Sequence, residues 1–133
     1  VYLMGHSMGG AGTIFMGQKH SEVWAAAAAI APAAFMMQPN EKTLLEHFKE
    51  AKLPLMITQG SADNVVPPAG TRTWAAAMKE LGVEGEYIEK PGLDHGTIIG
   101  PSMADIFRFF AAHKRTPPPF VPPRRPGPPP AKP

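Results

Sequence analysis

Short apolar runs alternate with helix-forming stretches along residues 1–115, and that alternation admits few folds. Residues 1–4 form a brief apolar strand cut by Gly5, and residues 9–20 read as a helix with small residues at its start. Residues 22–30 are ambiguous: their alanines favour helix, whereas Pro32 and the short length suit a buried strand. Asn40 is the expected N-cap of a helix over 41–51, where Leu44, Leu45 and Phe48 fall at helical spacing. Residues 53–59 are continuously apolar, the pattern of a strand buried on both faces. Pro68 opens a helix that runs to Leu81 and is closed by Gly82. Residues 86–90 give another strand before the Pro91-Gly92 turn. Residues 99–113 give a last helix, with Ile106, Phe107, Phe109 and Phe110 on or near one face. Strand and helix in this order predict an α/β fold: a mostly parallel sheet with flanking helices.

Proline marks where that fold ends. Ten of the 17 prolines lie in residues 116–133, which divides the chain into a body, 1–115, and a proline-rich tail. Proline lacks an amide donor and fixes φ, so the tail is expected to be extended and disordered, outside sheet and helix. Its PPPFVPP and PPRRPGPPP runs suit an SH3- or WW-type groove, although a plain linker explains the same composition. Arg124, Arg125 and Lys132 sit in this tail without any acid, so the overall charge of +2 overstates a nearly neutral body. Such a body offers no electrostatic footprint for nucleic acid. With 44% hydrophobic residues it can bury a core, and with no cysteine it has neither disulfides nor thiolate metal sites. That absence suits a reducing or an oxidising compartment, so localisation is not assigned. No histidine spacing suggests a metal, and the opening apolar run is too short to span a membrane. Because the chain begins inside a strand, at Val1, it reads as a piece of a longer protein.

The chemistry concentrates in Gly5-His6-Ser7-Met8-Gly9, a G-x-S-x-G pentapeptide between an expected strand and an expected helix. In that context the turn is tight enough to need glycine at both ends, and it holds the serine at a strained φ/ψ with Oγ presented outward. Gly10 and Gly12 would let the helix pack close. The Met8 amide, at the helix start, faces where an oxyanion would form. A nucleophilic serine needs a base, and the base an orienting carboxylate. Asp63 follows the 53–59 strand and His95 follows the 86–90 strand, both at carboxyl ends, where open α/β sheets place their sites. Asp94 adjoins His95 and would point away from its ring. Asp105, Glu89, His20, His47 and His113 lie on regular elements or at their ends and read as surface groups. Trp24, Trp74 and Phe35 read first as core, and Met36 and Met37 as a flexible pocket wall.

GHSMGGAGT, GSADNVVP and GLDHG together resemble the three catalytic blocks of the α/β-hydrolase superfamily, in its dienelactone-hydrolase, feruloyl-esterase and prolyl-oligopeptidase-like branch. The resemblance spans residues 1 to about 114 and implies the C-terminal half of that fold. It implies Ser7 as nucleophile, His95 as base then acid, Asp63 as the orienting acid, and Met8 as one oxyanion-hole amide. His6 and Met36 are candidate substrate contacts. The implied activity is hydrolysis of a small carboxylic ester through an acyl-Ser7 intermediate, with neither cofactor nor metal. A prolyl-oligopeptidase-like serine peptidase is the first alternative, and a non-catalytic binding protein acting through the tail the second. In complete members several strands precede the elbow, and a loop after the third gives the second oxyanion amide. Here the first strand would then lie at an open sheet edge, a surface on which a second copy could pair.

Overall fold

The alanine-rich segment that was ambiguous in sequence is a strand, and the sheet is built around it. A computed structural model describes residues 1–116. The expected tail contacts and tail disorder concern 117–133, outside the described residues. In chain order the elements are β1 (Tyr2–His6), α1 (Met8–Lys19), β2 (Ala26–Ile30), a 3-10 turn (Ala34–Met37), α2 (Glu41–Glu50), β3 (Leu55–Gly60), α3 (Pro68–Leu81), β4 (Gly85–Lys90) and α4 (Ile99–Ala112). The four strands lie side by side in sequence order, and every neighbouring pair is parallel.

All of β2 is buried, and its residues divide by period two. Ala27 and Ala29 join Ile14, Leu45, Phe48, Trp74 and Met78 beneath α1, α2 and α3. Ala26, Ala28 and Ile30 join Ile106, Phe109 and Phe110 beneath α4. Leu55 and Ile57 of β3 follow the first set and Met56 the second. Alanine here serves packing from both faces rather than helix propensity, which tertiary context overrides.

Several element ends differ from the sequence pattern by one or two residues, β3 running Leu55–Gly60 and β4 starting at Gly85. β1 does not stop at Met4 but continues through Gly5 to His6, because Gly5 and His6 pair with Ala29 and Ile30. Asn40 occupies the N-cap of α2 yet makes no side-chain cap, since its φ/ψ of −89°/12° lies outside the extended geometry that capping uses. The last helix ends at Ala112, one residue short of His113. The start of α3 at Pro68 and its closure by left-handed Gly82, φ 72°, are as the sequence predicts.

Candidate active site

Each of the three candidate residues leaves the carboxyl end of a different parallel strand: Ser7 after β1, Asp63 after β3, His95 after β4. Ser7 is held at φ 60°, ψ −116°, a conformation costing about 1–3 kcal/mol for a non-glycine residue. Its backbone is pinned on both sides. The Ser7 amide donates to the Ile30 carbonyl at 2.9 Å, and the Ser7 carbonyl accepts from Ala11 at 3.1 Å and Ala33 at 2.9 Å. Serine is a favoured N-cap, but here its hydroxyl is diverted from capping α1 to the imidazole of His95.

The glycines around this turn are not equivalent. A Cβ on Gly5 would collide with the Gly9 carbonyl, and one on Gly10 would meet Pro32 Cα at 2.9 Å. Gly9 and Gly12 have open space at the Cβ position, so the expected steric need for them is not what the structure has. The tightness falls on Gly5, between β1 and the first turn of α1, and on Gly10, against Pro32.

The hydrogen bonds run in one line. His95 Nε2 lies 2.8 Å from Ser7 Oγ, and His95 Nδ1 lies 2.8 Å from Asp63 Oδ2. Asp63 is fully buried at its side chain and filled with donors. Its Oδ1 accepts the amides of Val65 at 2.9 Å and Val66 at 2.8 Å, and its Oδ2 also accepts Gln59 Nε2 at 3.1 Å. Burial alone would raise the Asp63 pKa. The hydrogen bond from His95 and those from the Val66 and Val65 amides outweigh it and hold the carboxyl below its ordinary value. The group is thus an anion that can steady a positive charge on His95. The acid and base loops are stitched together, Ala62 N to Leu93 O at 3.0 Å and Gly92 N to Ser61 Oγ at 2.8 Å.

Gln59 was not singled out by sequence. It lies in β3, fully buried, with Thr71 Oγ1 donating to its Oε1 at 2.8 Å, so its amide hydrogens face Asp63 and the Val66 carbonyl. A glutamine at the end of a largely apolar strand, four residues before the acid, was the available signal.

Asp94 is spent on its own loop, its Oδ1 accepting from the Gly96 and Thr97 amides and the Thr97 hydroxyl. Glu89 pairs with Arg72, and Asp105 with Lys90. His20 and His47 stay towards the surface, whereas His113 is part-buried, against Phe109 and the Glu84 carboxylate. Trp74 is core, Trp24 half-buried, and Phe35 exposed. Met8 opens α1, and its amide has no acceptor among the described residues, as the first amides of a helix do not. Met36 is exposed beside Met8 and Phe15 on a shallow hollow. On the other side of the 3-10 turn, Pro32, Phe35, Val65, Val66 and Thr71 line an uncharged hollow of about 320 Å³ next to the acid loop. His6 turns its Nε2 to the His95 carbonyl at 2.7 Å. Among the described residues no cluster of three metal-ligating side chains occurs, and no helix is long and apolar enough to cross a membrane.

A parallel sheet with a strained serine at its first strand-to-helix turn is the C-terminal part of an α/β-hydrolase fold, and solved structures agree. Arabidopsis thaliana SOBER1 superposes with TM-score 0.69 at 24% identity, over 85% of this chain and 52% of that one. Esterase PE8 matches with TM-score 0.68 at 23% identity, over 85% and 50%. Zea mays acyl-protein thioesterase 2 matches with TM-score 0.66 at 20% identity, over 83% and 54%. The chain therefore spans about half the length of these structures. The family model of the prolyl oligopeptidase family, Peptidase_S9, matches residues 39–115, more than half of the chain, and the chain belongs to that family. Its fold and family are those of hydrolases. No curated protein matches it in sequence.

Proposed function

We propose that the chain carries the catalytic residues of a serine hydrolase that cleaves small carboxylic esters. The observation that carries this reading is the unbroken line from Asp63 through His95 to Ser7, with both bonds at 2.8 Å. His95 Nε2 takes the hydroxyl proton as Ser7 Oγ bonds to the ester carbonyl carbon. The carbonyl oxygen becomes an oxyanion facing the Met8 amide, where the positive end of α1 also lies. Collapse breaks the bond to the alkoxy oxygen, which leaves as alcohol with the proton from His95. Water then attacks acyl-Ser7 by the same proton route and releases the acid. Asp63, anionic throughout, holds the imidazole by Nδ1 and stabilises its protonated form.

The uncharged hollow beside Val65 and Val66 is suited to an apolar acyl group, with Met36 on the far wall of the turn. The family membership favours a second reading, cleavage of a peptide bond by the same residues. An intact Ser7, Asp63 and His95 set argues against a purely non-catalytic binding role.

Hydrolysis of p-nitrophenyl acetate and butyrate by the full-length protein, with Ser7→Ala beside it, tests the proposal. Activity that vanishes in Ser7→Ala, with fluorophosphonate labelling of the wild type only, is the expected result. Turnover confined to aminoacyl amides would transfer the assignment to a peptidase. Equal rates in wild type and Ser7→Ala would sink it.

A further inference from the structure

His6 ends β1, immediately before Ser7, with its ring half-buried. Its Nε2 lies 2.7 Å from the backbone carbonyl of His95, and the two rings sit 4.6 Å apart, tilted by 42°. A carbonyl oxygen only accepts, so Nε2 of His6 carries the proton. That donor is therefore committed to the loop of the base rather than to a substrate.

The position matters because of how the loop of His95 is anchored. Its other bonds to the rest of the site are with the acid loop: Ala62 N donates to Leu93 O, Gly92 N donates to Ser61 Oγ, and the His95 ring meets Asp63. Asp94 braces the loop only internally. Between residues 1–8 and the His95 loop, the described residues make two hydrogen bonds: His6 to the His95 carbonyl, and Ser7 Oγ to the His95 ring. The second is the bond that chemistry must break and remake. The first persists and ties the strand that carries Ser7 directly to the loop of His95 while that happens. We propose that His6 is a positioning residue that sets the reach of His95 to Ser7. This rests on the hydrolase reading for its consequence in catalysis, but the geometric claim concerns His95 itself.

Two substitutions separate donor from ring. His6→Phe keeps the ring and removes the N–H, leaving the His95 carbonyl without its partner. His6→Gln restores a donor near the same place without the ring. In the full-length protein, His6→Phe is expected to lower kcat for p-nitrophenyl butyrate by about tenfold or more, with KM within about twofold. It should also broaden the low-field proton signal of the His95 Nδ1–H bonded to Asp63. His6→Gln is expected to recover most of the rate and the sharp signal.

A rise in KM at unchanged kcat would assign His6 to substrate contact and overturn the proposal. So would a His6→Phe variant with wild-type kcat and signal, or equal losses of kcat in both variants with the signal sharp. Should His6→Phe not fold, His6→Gln decides: near-wild-type kcat supports the proposal, and a tenfold loss overturns it. A wild type silent to esters and fluorophosphonate alike would sink the hydrolase reading. The low-field signal in the two variants would still test the placement of His95.

Discussion

Asp63 makes as many hydrogen bonds as a carboxylate readily accepts, two at each oxygen. Only one of the four comes from the imidazole of His95; the others hold the carboxylate in place independently of that ring. Gln59 is the side-chain member of that set, and its amide is itself oriented by Thr71. Gln59→Leu is expected to lower the ester hydrolysis rate by about tenfold to a hundredfold through a displaced Asp63–His95 pair. The same change should destabilise the fold by about 1–3 kcal/mol in urea unfolding, since buried donors and acceptors lose their partners. That Ser7, Asp63 and His95 come together was legible in sequence, because each sits in a short loop with its own turn residues after a strand. Gln59 and the bond made by His6 were not. Both depend on what lies across the sheet, at Thr71 and at His95, and no local spacing encodes that.

At the scale of elements, the G-x-S-x-G turn separates a steric requirement from a motif. Gly5→Ala would drive a methyl into the Gly9 carbonyl, and a loss of about 1–3 kcal/mol in urea unfolding is expected. Gly9→Ala meets open space inside α1, so stability should hold or rise by up to about 1 kcal/mol. The two edges of the sheet differ as well. β4 is guarded by ion pairs, Arg108 to Glu86, Arg72 to Glu89 and Lys90 to Asp105. β1 carries Tyr2 and Met4, each 37% exposed, and no strand pairs with its outer side among the described residues. Such an edge templates pairing. Residues 1–133 taken by themselves are therefore expected to self-associate with rising concentration in sedimentation velocity, and Met4→Lys to reduce that association. The succession of strands and helices along the chain was readable from apolar runs and turn residues, and the order of strands in the sheet was not. The state of the alanine segment was not, because alanine's propensity and its use between two helical layers point in opposite directions.

At the scale of the molecule, four carboxyls among the described residues are held below their ordinary values: Asp63 as described, Glu86 by Arg108, Glu89 by Arg72, and Asp94 by the Thr97 amide. Unfolded, these groups would bind protons near 3.8 for aspartate and 4.5 for glutamate; folded, they bind them at lower pH. Their stabilisation is thus complete above those values and is lost as pH falls through the folded ones. Urea midpoints should change little on this account between pH 7 and pH 5 and fall by pH 3. The α/β class was visible from the alternation of apolar runs with helix-forming stretches, whereas which helices share a face needed the packed sheet.

One feature of the site ties chemistry to assembly. Ser7 and His95 stand 88 residues apart in the chain, and His95 and Asp63 stand 32 apart. No partial set of neighbouring strands brings the three together: β1 must join β2, β2 must join β3, and β3 must join β4. Contacts of such separation form late, after loop-closure entropy has been overcome. If Ser7 reacts as proposed, its labelling is a clock for folding, silent in a partly paired sheet and audible once the last strand is in place.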